Sequence, residues 1–114
     1  MKKGIIVFKA LSDINRIRIL KMLFIRPLCV CEVKAILELA NSTVSKHLSI
    51  LRNAGLIKDE KEGKWVNYYL NFDLNDEYGR HLLPMIQSWF LNDDLLKADH
   101  KKVKNVDRNK LCNT

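Results

Sequence analysis

At 114 residues, with 47% hydrophobic residues and only 2 Pro and 4 Gly, the chain has apolar material for one packed domain, too little for two, and none of the bias of a disordered protein. Its 20 Lys and Arg against 13 Asp and Glu leave a charge of +7, which points to polyanionic partners, nucleic acid before anionic membrane. The apolar stretch after Lys2 and Lys3 stops at Lys9, too short for a signal-peptide core or a membrane span, so a soluble cytoplasmic protein without a membrane partner is expected.

The charge is uneven. Residues 1–34 hold 8 basic and 2 acidic groups, residues 97–114 hold 6 and 2, and residues 70–96 hold 1 and 5. Basic ends of this kind are often solvated faces, so charge alone does not assign DNA binding.

In chain order, a short apolar helix is expected from Gly4 to Leu11. Ser12-Asp13 then offers capping chemistry for a second helix, with Ile14, Ile17, Leu20 and Phe24 as its inner stripe and Arg16, Arg18 and Lys21 on the other face. Pro27 ends it, and a third helix is expected from about Cys29 to Leu39, with Val33, Ile36 and Leu37 inward. After the brief Ala40-Asn41 connection, residues 42–54 place Val44, Leu48 and Leu51 on one side of a fourth helix and Thr43, Ser45, Lys46, Ser49, Arg52 and Asn53 on the other. Gly55 suits a left-handed helix terminator, and Leu56 to Leu70 reads as a β-hairpin with Lys61 and Lys64 at its tip and Trp65 and Tyr69 on one face. A loop over 71–77 precedes renewed helical periodicity at Leu82, Ile86, Trp89 and Phe90, then Leu96, Val103 and Val106, with Pro84 marking a break or a start.

Two helices joined by a short turn, the second carrying small polar and basic side chains outward, meet the needs of a major-groove reader, since short side chains let the backbone approach the base edges. The hairpin that follows supplies a wing. An ordinary amphipathic surface helix has the same pattern in isolation; the order helix, helix, hairpin separates the two. His47 reads either as a phosphate donor or as a residue at the edge of the core.

Several linked segments carry a resemblance: Leu11-Ser12-Asp13 with Arg16-Ile17-Arg18-Ile19-Leu20, Leu28-Cys29-Val30-Cys31-Glu32, Ser42-Thr43-Val44-Ser45-Lys46-His47-Leu48, Leu51-Arg52, Ala54-Gly55-Leu56-Ile57, Gly63-Lys64-Trp65 and Tyr68-Tyr69. Over residues 8–70 the chain resembles the ArsR/SmtB family of metal-sensing repressors. The resemblance implies a mainly α winged helix-turn-helix with a β-hairpin wing, homodimeric, bound to double-stranded operator DNA and released by inducer. It divides the single domain, 1–114, into a reader at 29–54, a wing at 56–70 and dimerisation segments at 4–11 and 78–108. It carries DNA contact onto Ser42, Thr43, Ser45, Lys46 and His47, with Arg52 and Lys64 touching the backbone.

Cys29 and Cys31 stand too close for a relaxed disulfide, and with Cys112 they make an odd set, so reduced thiols are the simpler account. Paired thiolates suit As(III), Sb(III), Cd(II), Pb(II) or Zn(II) and not hard ions. The setting of Cys29 and Cys31 resembles the arsenic and cadmium sensors' signature at the start of this helix, and As(III) or Sb(III) is the expected inducer, with Cd(II), Pb(II) or Zn(II) the alternative, and no cofactor needed for DNA binding. A helix start should favour thiolate over thiol. Residues two apart in a helix point about 200° from each other, so joint capture of one atom should unwind the first turn. Lys34 stands where some arsenic sensors have a third cysteine, which leaves Cys112 as the candidate third ligand. His81, Asp99 and His100 lack the paired spacing of the family's C-terminal zinc site. Neither a phosphate-cradling Cys/Arg loop, nor Cys-x-x-Cys, nor a Ser/His/Asp arrangement is found, so no enzyme is expected; a repressor whose thiols respond to oxidants is the remaining rival.

Overall fold

The computed structural model describes residues 1–111, so Cys112 lies outside the described residues. The elements run α1 (Lys2–Ala10), α2 (Ile14–Leu23), β1 (Leu28–Cys29), α3 (Val30–Leu37), α4 (Asn41–Asn53), β2 (Ile57–Glu62), β3 (Trp65–Leu70), α5 (Glu77–Ser88), α6 (Asp94–Asn105) and α7 (Arg108–Leu111).

Asp13 starts α2: its backbone is extended and its carboxylate accepts the Arg16 N–H. The expected stripe of α2 is corrected. Ile19, Leu20, Met22 and Leu23 are buried, whereas Ile14 is 73% exposed. The reason lies in two arginines assigned to solvent that turn inward. Arg16 Nε donates to Ala10 O at 2.7 Å and its Nη2 to Lys9 O at 3.1 Å, which satisfies the carbonyls at the end of α1. Arg18 meets buried Asp99 on α6 with two hydrogen bonds, at 2.8 and 3.0 Å.

Helix α3 begins at Val30, with Cys29 as its N-cap residue. It ends at Glu38, whose left-handed backbone (φ 57°) returns an N–H to Lys34 O and turns the chain into α4. On α4, Val44, Leu48 and Leu51 are fully buried as periodicity requires, each contributing roughly 1.5–3 kcal/mol of apolar burial.

The hairpin pairs β2 with β3 from Ile57↔Leu70 to Glu62↔Trp65 around a two-residue turn opened by Gly63 at φ 60°. Periodicity could not reveal β1, which adds two residues to the other edge of β3, Leu28↔Tyr68 and Cys29↔Asn67. The root of the wing is crowded. Gly55 has φ 79°, and a Cβ there would lie 2.9 Å from Asp76 Oδ2. Asn71 Nδ2 donates to Gly55 O at 2.8 Å, while Asp76 caps α5 by accepting from the Tyr78 and Gly79 N–H groups.

Pro84 lies inside α5 and neither starts nor ends it. Leu83 and Ile86, both buried, hold the helix through it, and Pro84 itself is exposed. Trp89 and Phe90 belong to the turn after α5 and are exposed. Helices α6 and α7 then fold back over α2 and α3, with Val103 and Asp99 facing the chain's own core.

Candidate nucleic-acid interface and thiol site

The first turn of α4 is open. Its N-cap is Ala40, which has no side chain able to cap, and Asn41, Ser42, Thr43 and Lys46 are exposed around the N–H groups that begin the helix. Ser45 is half-buried beside them. Such an end presents donors and the positive pole of the helix dipole outward, the arrangement that accepts a phosphate. Asn41, expected in the connection, is the first residue of α4, against its own preference for the N-cap position.

His47 resolves toward the edge of the core. Its side chain is 12% exposed, and its Nδ1 lies 3.1 Å from Arg16 Nη1 and 3.9 Å from Asp13 Oδ2. Because Arg can only donate, Nδ1 accepts and Nε2 carries the proton. His47 therefore ties the reader helix to α2. Arg52 pairs with Asp59 of β2 at 3.1 Å, a contact that fastens the reader to the wing. Lys64 is exposed at the hairpin tip with its Nζ 4.9 Å from the Trp65 ring centre. Trp65 is half-buried, in keeping with wing core, and its other neighbour was unforeseen: Arg108 of α7 lies 4.2 Å over the ring.

The start of α3 is closed. Cys29 and Glu32 form a capping box: the sulfur accepts the Glu32 N–H, and Glu32 Oε1 accepts the Cys29 N–H at 3.0 Å. Glu32 Oε2 also meets Arg26 Nη2 at 3.0 Å. Cys29 is buried and Cys31, in the first turn, is half-buried. Two expectations change here. Burial, together with the Glu32 carboxylate, pushes the Cys29 thiol up despite the helix N–H that favours thiolate. And Cys29 precedes the helix in an extended conformation, so what joint capture must break is the cap and not a bond between two helical residues.

The expectation of reduced thiols is corrected at Cys31, which is disulfide-bonded, so the two sulfurs form a soft donor pair only once that bond is reduced. Among the described residues, no cluster of three or more His, Cys, Asp or Glu stands ready to hold a metal ion. The Asp99 carboxylate is taken up by Arg18, and among the described residues no helix is long and apolar enough to cross a membrane.

The profile described as "Bacterial regulatory protein, arsR family" matches residues 13–59, the span from the α2 cap to mid-β2. A cadmium resistance transcriptional regulatory protein CadC homolog of Staphylococcus aureus is 42% identical over 87 residues, 75% of this chain and 66% of that protein. The arsenical resistance operon repressor of Escherichia coli is 33% identical over 106 residues, 90% of this chain and 80% of that protein. Among solved structures, HlyU from Vibrio cholerae superposes with a TM-score of 0.66 at 30% identity, covering 78% of this chain and 92% of HlyU. The chain belongs to the ArsR family of bacterial winged helix-turn-helix regulators.

Proposed function

We propose that the chain is a transcriptional repressor that binds operator DNA as a homodimer and is released when Cys29 and Cys31 capture As(III) or Sb(III). The observation that carries this reading is the packing of α3 against α4: the helix whose cap holds the thiols is also the support of the open, polar reader. Opening the capping box shifts the start of α3, the element against which α4 packs most extensively. A coupling of about 2.7 kcal/mol, hundredfold in DNA affinity, lies within the usual allosteric range. Ser42, Thr43, Ser45 and Lys46 face the groove, Lys64 and Arg52 the backbone, and His47 orients the reader through Arg16.

Dimerisation is supported by the apolar side chains that one chain leaves outside. Ile5, Ile6 and Phe8 of α1 are 41–58% exposed, and Trp89, Phe90 and Leu91 are 47–68% exposed, more than an isolated soluble domain normally leaves in contiguous patches. The site of action is the reducing cytoplasm, where thiols persist, and the reaction is reversible binding with no catalysis. Cys112 remains the proposed third sulfur for As(III).

The test is titration of arsenite, with a non-thiol reductant, against the protein bound to a symmetric operator. Release with Cys29 and Cys31 present, and none after either is changed to Ser, is the expected result; release that persists in both variants overturns the site. The Staphylococcus relative, named for cadmium resistance, favours Cd(II) as a second reading, tested in the same titration.

A further inference from the structure

A closed circuit of contacts joins the thiols to the wing, and one residue that no motif marks completes it. Arg108, the first residue of α7, places Nη1 2.9 Å from Asn67 Oδ1 and Nη2 2.9 Å from Glu62 Oε1, while its guanidinium plane lies 4.2 Å over the Trp65 ring. All three partners belong to the hairpin, two of them beside its turn. Asn67 is also the sheet partner of Cys29, so one end of the circuit is the thiol strand itself. The other end runs through α6: Glu32, which caps Cys29, holds Arg26, and Arg26 Nη2 in turn binds Val103 O and Val106 O at 3.1 and 3.0 Å where α6 ends and the chain passes to Arg108. Trp65 Nε1 is buried without a hydrogen-bond partner among the described residues, so no hydrogen bond of the ring itself fixes it; the guanidinium stacked on it does.

We propose that Arg108 is a positioning residue that sets the wing for DNA and couples it to the state of the cap at Cys29; this rests on the inducer reading above. Opening the cap moves Cys29 relative to Asn67 and releases Glu32 from its place beside Arg26. Either change displaces a partner of Arg108, and the clasp on Glu62, Trp65 and Asn67 loosens. The wing tip, with Lys64, then leaves its position at the DNA backbone.

The test uses the full chain carrying Trp89→Phe, which leaves Trp65 as the single indole, because the sequence has two Trp. Arg108→Met keeps the aliphatic stem and removes the guanidinium; Arg108→Lys keeps the charge and loses the two-pronged fork. Acrylamide quenching of Trp65 should rise in Arg108→Met before any inducer is added. The ratio of operator Kd with and without arsenite should fall from about a hundredfold to below about tenfold, with Arg108→Lys between the two, while arsenite binding to the protein off DNA is kept. Glu62→Gln should lower the same ratio and add little to Arg108→Met, since both remove one clasp. An undiminished ratio in Arg108→Met overturns the proposal. So does a weaker operator affinity with the ratio unchanged, which would make Arg108 a plain phosphate contact. An operator complex of the unaltered protein that arsenite fails to dissociate fails the inducer reading and the coupling with it, while the quenching result still reports the clasp.

Discussion

The two helices of the helix-turn-helix begin in opposite ways. Helix α4 opens on Ala40, with no side-chain cap and a ring of exposed polar residues; α3 opens on Cys29, buried, capped through its own sulfur and locked by Glu32 and Arg26. On the proposed function, the reader is thus preformed and its ligand supplies the missing acceptor, whereas the sensor is complete without a ligand and an inducer has to displace contacts already made. That asymmetry is what a repressor requires: DNA binds the resting form, and the inducer works by undoing something.

The comparison breaks most visibly at Cys29. In Cys29→Ser the hydroxyl can still accept the Glu32 N–H, so the cap and operator affinity should survive while release by arsenite, about a hundredfold effect, disappears. Fluorescence anisotropy of labelled operator reads both quantities, and loss of operator affinity would show that the thiol is structural.

A second experiment separates the inducers and tests the closed character of the α3 start. The Cys29 thiol, pushed up by burial and by Glu32, is protonated at neutral pH, so a cation that binds thiolate must expel a proton. Cd(II) affinity should therefore climb as pH rises, by about tenfold per unit for each proton displaced. Neutral arsenous acid loses its hydroxyls as water when it condenses with thiols, takes up those protons itself, and should bind with little dependence on pH over the same range. A flat Cd(II) profile between pH 6 and pH 8 would show that the thiols are already ionised.

At the open end, Ala40→Asp supplies the cap that α4 lacks. Thermal unfolding should show a gain of about 1 kcal/mol. Operator binding should weaken by about tenfold at low salt, because the carboxylate occupies the N–H groups and repels phosphate. Stability and affinity that rise together would mean that this helix start does not face DNA. The smallest effect belongs to Glu32→Gln, which keeps an acceptor for the Cys29 N–H but loses the ionic contact with Arg26. With the cap weakened by about 0.5–1 kcal/mol, inducer affinity should improve a few-fold by isothermal titration, and an unchanged value would mean the cap does not oppose capture.

Much of the reader was legible because a single period decides it: Val44, Leu48 and Leu51 had to share a face, which left Thr43, Ser45 and Lys46 to the other. The same argument does not carry over to α2, where periodicity puts Ile14 in the inner stripe and leaves the arginines to solvent. Arg16 and Arg18 go inward because each finds acceptors distant in sequence, the end of α1 and Asp99 of α6, and no local pattern announces such partners. Strand β1 is two residues long and exists only through β3. The thiol pair was visible as a motif. The burial of Cys29 and the upward push on its thiol were not, since they depend on Glu32 lying close and on strand pairing that covers Cys29. In the sequence Arg108 is one more charge in a basic tail.

The two glycines of the wing set where the protein tolerates additions. At Gly55 the backbone conformation and the nearby Asp76 oxygen both exclude a side chain, whereas at Gly63 nothing lies within 4 Å of where a Cβ would be and only the left-handed backbone, φ 60°, opposes one. The hairpin is held at its root by Asn71 and beside its turn by Arg108, while the turn residues themselves, Gly63 and Lys64, are exposed. A reporter dye or a short inserted peptide belongs at the turn, where it extends the hairpin without loading its root. Lengthening the wing there would change its reach along the DNA while leaving the reader helix seated as before.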